Sequence, residues 1–202
     1  MPKVKIKRKS TRIDMTAMSD VTVLLLTFFM LTSTFIQKEP VLVTTPASVS
    51  EIKIPETNIL QILVDPKGHV YLSLDKPEDR VGILEKMGEQ YKIQFTPEEI
   101  KKFRLLPSFG VPMQQLKTFL NLSQREQDDA LKTLGIPCDS INNEFKIWIQ
   151  QARMQNSDLR IAIKADQKTP YKLIREIMTS LQELRENRYN LITSLKNVPP
   201  EI

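Results

Sequence analysis

Hydrophobic and polar positions divide the chain sharply. From Met15 to Gln37 it reads MTAMSDVTVLLLTFFMLTSTFIQ, bounded by Asp14 before and Lys38-Glu39 after, with Asp20 as the one charge inside. As a helix this run spans about 35 Å, enough for a hydrocarbon core of about 30 Å, whereas its uncharged part, Val21 to Ile36, reaches only about 24 Å. Asp20 therefore falls at or inside the edge of the apolar layer on the N-terminal side. Beyond the run, residues 38–57 place Pro40, Pro46 and Pro55 among β-branched residues, which disfavours helix and predicts an extended linker with strand-forming potential around Val41, Leu42 and Val43. Fully extended, that linker reaches roughly 65 Å.

A folded region follows. Ile59 to Val64 (ILQILV) and Val70 to Leu74 (VYLSL) flank the turn sequence Asp65-Pro66-Lys67-Gly68 and predict a β-hairpin, with His69 on its loop and no acid/base partner evident. The middle of the chain is helical by pattern. Thr96-Pro97-Glu98-Glu99 and Ser123-Gln124-Arg125-Glu126 read as capping boxes, Gly110 and Gly135 punctuate the segments, and several short helices are expected in succession. Phe145, Trp148 and Ile149 space as one apolar helix stripe, read as core. Near the C-terminus, Leu159 to Ala165 predicts a strand. Thr169-Pro170 then opens a helix with Ile174, Ile177, Met178, Leu181 and Leu184 on one face, and Tyr189 to Leu195 returns as a strand.

Composition removes several kinds of chemistry. With one cysteine, Cys138, and one histidine, His69, the chain has no Cys/His set for a structural zinc, a CxxC redox centre or a thiol/imidazole pair. The adjacent acids Glu98-Glu99 and Asp128-Asp129 diverge on a helix and suit first-turn or solvated positions, so no catalytic residue, metal or cofactor is expected, and the protein is read as a non-enzyme. The net charge of +5 is located in residues 1–14, where Lys3, Lys5, Lys7, Arg8, Lys9 and Arg12 face only Asp14. The rest is neutral overall, which argues against a nucleic-acid footprint and for a basic cytoplasmic leader before a membrane helix. By the positive-inside rule, residues 38 onward lie across the membrane.

A cleavable signal peptide shares the basic leader and apolar run. This run, however, is long, holds a carboxylate and is followed by no Ala-x-Ala-like site. A plain anchor leaves Asp20 unexplained, since an aspartate at mid-helix costs about 2.5 to 3.5 kcal/mol of insertion free energy. At 100° per residue, Asp20, Thr27 and Thr34 share a face, with Thr16 one turn before Asp20. These threonines are candidate pore-facing residues, and Asp20 is a candidate proton carrier, because intramembrane carboxylates usually face a protein interior or a hydrated path.

Met15 to Asp20 (MTAMSD) followed by Val21 to Ser33 (VTVLLLTFFMLTS) closely resembles the N-terminal signature of the ExbD/TolR biopolymer transport family, commonly MTPMxDxxFLLLxFFMxxS. Ile161 to Tyr171 (IAIKADQKTPY) resembles the family's strand, acid and Pro-Tyr helix start. Ala17 departs from the family's usual proline, and the stretch from Pro77 to Asn156 looks like a helical insertion that shorter members lack. The resemblance implies a single transmembrane α-helix (15–37) plus a small periplasmic α/β domain (58–202) with an inserted helical region, single-pass in a bacterial inner membrane. It implies a proton-motive-force-coupled stator subunit, with Asp20 as the coupling carboxylate. Its implied partners are an ExbB/TolQ-like pentameric membrane protein, a TonB-like or TolA-like protein that spans the periplasm, and a second copy of the chain, with Val41, Leu42 and Val43 as a linker strand that pairs in some relatives. The competing reading is a membrane-anchored module that binds peptidoglycan or an envelope protein without proton coupling. Only the first reading needs an ionisable group at position 20.

Overall fold

The computed structural model describes residues 15–33, 41, 43–48, 57–139 and 142–195, and the chain divides into two units, 1–37 and 38–202. In the first, α1 (Met15–Thr32) is a continuous helix with no buried residue. The basic leader and residues 34–37 lie outside the described residues.

The second unit is built on a five-stranded mixed sheet. The hairpin forms as its alternation and turn predict: β2 (Ile59–Val64) and β3 (Val70–Leu74) pair antiparallel, from Leu60 opposite Leu74 to Val64 opposite Val70. Gly68 at φ +94° supplies the left-handed residue that the tight turn needs. The strand β5 (Arg160–Ala165) lies parallel to β2, and β6 (Tyr189–Leu191) parallel to β5, joined by α7 (Tyr171–Glu183) as the crossover helix. Together with β4 (Ser108–Phe109) the order is β4-β3-β2-β5-β6.

Two expectations need correction here. The central stretch is not wholly helical: α2 (Pro77–Tyr91), α3 (Pro97–Leu105), α4 (Met113–Asn121), α5 (Gln124–Leu131) and α6 (Glu144–Gln155) are interrupted by β4, which extends the main sheet by pairing with β3. Phe109 on β4 packs tilted against both Phe103 and Trp148, with ring centroids 4.9 and 4.8 Å apart, and burying its ring in that cluster draws the two-residue strand to the sheet edge. The final strand is also split. β6 stays in the main sheet, while β7 (Ser194–Leu195) leaves it to pair parallel with β1 (Ala47–Ser48).

The helices are set by local chemistry that the sequence displays. Thr96 and Glu99 form a reciprocal capping box at α3, and at α5 the Ser123 N–H and hydroxyl both donate to the Glu126 carboxylate (2.9 and 2.8 Å). Arg80 of α2, though buried, donates from Nη1 to the Leu106 carbonyl and so ties α2 to the end of α3. Leu60, Ile62 and Val64 share a sheet face with Leu72, Phe109, Ile161 and Ile163, and Phe109 carries that face onto Trp148 of α6. Phe145, Trp148 and Ile149 are all buried, as a core stripe should be.

Candidate functional site

In α1 the side chain that departs from its surroundings is Asp20, the single charge in MTAMSDVTVLLLTFFMLT. Every neighbour on the helix is exposed; Leu24 is 67% and Phe29 62% accessible. Apolar surface of this kind demands an apolar solvent or a partner. The helix is also long and apolar enough to cross a membrane, with a mean hydropathy of 1.6. Thr16 and Thr27 lie on the Asp20 side of the helix by their spacing. Thr27 donates its hydroxyl to the Leu24 carbonyl (2.9 Å), as Thr22 does to Met18 (2.7 Å) and Thr32 to Phe28 (2.8 Å). These protons are spent on the helix itself, so what Thr27 offers to a partner or a water is an acceptor oxygen. Thr34 lies outside the described residues.

In the second unit, the acid of the IAIKADQKTPY segment acts as a clasp. Asp166 follows β5, and its carboxylate accepts from the Lys168 N–H (2.9 Å) and from the Thr44 N–H (2.8 Å). These two donors, Lys168 first, hold the carboxyl below the usual carboxylate range. The Gln167 N–H in turn donates to the Thr44 carbonyl (2.9 Å), and the Ser194 N–H to the Pro46 carbonyl (3.0 Å). Residues 43–48 of the stretch read as a linker are thus fastened to the domain at both ends. Val41 and Val43 are half-buried against its core, and Leu42 lies outside the described residues. The resemblance of IAIKADQKTPY to the family gives Asp166 a place in a motif but no task. The available signal was an aspartate opening a Gln-Lys-Thr-Pro turn, where its oxygens can cap the backbone two residues on.

His69 is a further correction. Its Nδ1 lies 2.9 Å from Asp65 Oδ2, and its backbone N–H donates to Asp65 Oδ1 (2.7 Å). The turn folds the chain back so that residues four apart meet, which is why the buried Asp65, read only as a turn former, becomes the histidine's partner. Cys138 is buried as a free thiol, and burial, helped by Asp139 and Glu176, pushes it up to about 11. Among the described residues, no group of three or more His, Cys, Asp and Glu residues gathers as a metal site.

The family model described as "Biopolymer transport protein ExbD/TolR" matches residues 7–196, nearly the whole chain and both units. Comparisons with curated proteins and with solved structures give no match. The match takes in the Asp20 helix, the Asp166 clasp and the long helical stretch between β3 and β5, and on it the chain belongs to the ExbD/TolR biopolymer transport family.

Proposed function

We propose that the protein is the proton-motive-force-coupled subunit of an ExbB-ExbD-like inner-membrane complex, energising TonB-dependent or Tol-like transport without covalent catalysis. Asp20 is its proton-coupling group. The observation that carries this reading is a lone carboxylate on an otherwise uncharged membrane-length helix, within a chain that matches the family over residues 7–196. One elementary charge crossing about 100 mV releases about 2.3 kcal/mol, so a few protons per cycle are enough to drive a mechanical step. In this reading two copies of the chain work inside an ExbB/TolQ-like ring, with the N-terminus cytoplasmic and residues 38 onward in the periplasm. Thr16 and Thr27 border the proton path, and the driven partner is TonB-like or TolA-like.

The test is Asp20→Asn, which keeps size and polarity and removes the proton. Transport or envelope integrity is measured beside wild type, with assembly checked by pull-down of the ring partner. Assembly without activity is the expected result. Wild-type activity from the variant would sink the coupling mechanism and turn attention to the periplasmic unit as an anchored binding module.

A further inference from the structure

One end of the second unit, where β2, β5 and β6 begin, opens into a cleft of about 1150 Å³. Four arginines line it, and one of them is committed. Arg153 donates from Nε to Glu186 (2.6 Å) and from Nη1 to the carbonyls of Ser157 and Leu159 (2.6 and 2.7 Å). The guanidinium groups of Arg160, Arg185 and Arg188 make no hydrogen bond or ion pair among the described residues, and Asp158 is the one acid in the cleft besides Glu186. The cleft therefore has an excess of uncompensated cationic forks, the groups best suited to carboxylate.

Two further observations fall in the same place. Arg185 follows the Leu184 cap of α7 at φ +61° and Asn58 precedes β2 at φ +59°, so two of the three non-glycine residues with left-handed backbone among those described line this cleft. Glycine would sit more easily at position 185, and an arginine there retains a charge at a conformational cost. Asn58 Oδ1 is buried without a hydrogen-bond partner, an acceptor that asks for an N–H or O–H. A simple anion cannot supply that donor. A peptide N–H or a sugar hydroxyl could, and Arg160, Arg185 and Arg188, at three separate chain positions, suit an extended chain that presents several carboxylates.

We infer that this cleft binds an acidic, extended peptide segment of a partner protein, its carboxylates taken by Arg160, Arg185 and Arg188 and its backbone N–H groups by the asparagine side of the cleft. The site is independent of Asp20 and of proton coupling, and it is tested by binding alone. The probe is a fluorescein-labelled peptide alternating Glu and Ser, titrated by anisotropy into the full chain in nonionic detergent. Saturable binding that weakens as salt rises from about 50 to about 300 mM is expected. The Arg185→Gly, Arg188→Gln double variant should bind about tenfold more weakly or worse. Because glycine relieves the backbone at 185, this variant should melt no lower than wild type, and a loss of binding then reports lost charge and not lost fold. The inference is overturned by any of three outcomes: no saturable binding, equal binding by the double variant, or equal binding of the same peptide with Lys for Glu. It is also overturned if a uronic-acid oligosaccharide or anionic vesicles are bound while the peptide is not.

Discussion

At the scale of single residues, the sharpest constraints in the second unit are steric. Gly110 follows β4 beside the buried Tyr71, and a Cβ there would intrude on the tyrosine ring. The ring cannot swing aside, because its hydroxyl donates to the Leu131 carbonyl across sixty residues of sequence. Gly110→Ala should therefore lower unfolding free energy by about 1 to 3 kcal/mol, read from the urea midpoint. Trp148→Ala empties the centre of the aromatic cluster with Phe103 and Phe109 and should cost about 3 to 5 kcal/mol in the same measurement. Cys138 makes a chemical prediction. With its thiol pushed up to about 11, mainly by burial, it should stay unmodified by a maleimide at pH 7 in the native protein and react at once in denaturant. How much of this was legible depends on range. The Trp148 stripe was visible because helix period is local, whereas the Gly110–Tyr71 contact and the Tyr71–Leu131 bond join residues whose meeting only the sheet arranges.

Among the elements, the revealing case is the segment before the domain. Three prolines and a β-branched run predict extended chain, and Ala47–Ser48 is a short strand, but extension alone does not say whether a segment is free or docked. The docking is decided by Asp166, more than a hundred residues away, together with the departure of β7 from the main sheet to meet β1. Since the Asp166 carboxyl lies below its unfolded value, its contribution is fully present above the ordinary aspartate range near about 3.9. That contribution is lost as pH falls through the folded value. Residues 43–48 should therefore stay docked at neutral pH and release only in strong acid. At neutral pH, Asp166→Ala should speed amide exchange at Thr44 about tenfold while leaving the β2 amides unchanged, measured by hydrogen–deuterium exchange. Unchanged exchange at Thr44 would show that β1–β7 pairing and the half-buried valines hold the segment without the carboxylate. The hairpin turn and the helix starts, by contrast, were readable from a few adjacent residues, since each is closed by bonds that span three or four positions.

For the whole molecule, the division into units 1–37 and 38–202 separates an exposed apolar helix from the α/β fold that holds the core. Every buried hydrophobic side chain among the described residues lies between Leu60 and Leu181, and α1 contributes none. This follows from the pattern of the first helix: apolar side chains point to nearly every side, broken only by Asp20 and a line of threonines, so there is no single apolar stripe to lay on a globular core while the other side is wetted. The consequence is that residues 38–202 should fold without the helix. Expressed alone, that unit should be soluble without detergent, unfold in one cooperative transition, and melt within about 2 °C of the same unit in the full chain, because α1 contributes no buried side chain among the described residues. Calorimetry or circular dichroism decides the point. A markedly lower or broadened transition would mean that the first unit, or a copy of the chain it brings alongside, completes the domain's packing. Agreement of the two transitions would leave α1 with no structural task in the domain, so that any loss of transport in Asp20→Asn with assembly intact must be assigned to the carboxylate itself and not to a weakened fold of residues 38–202.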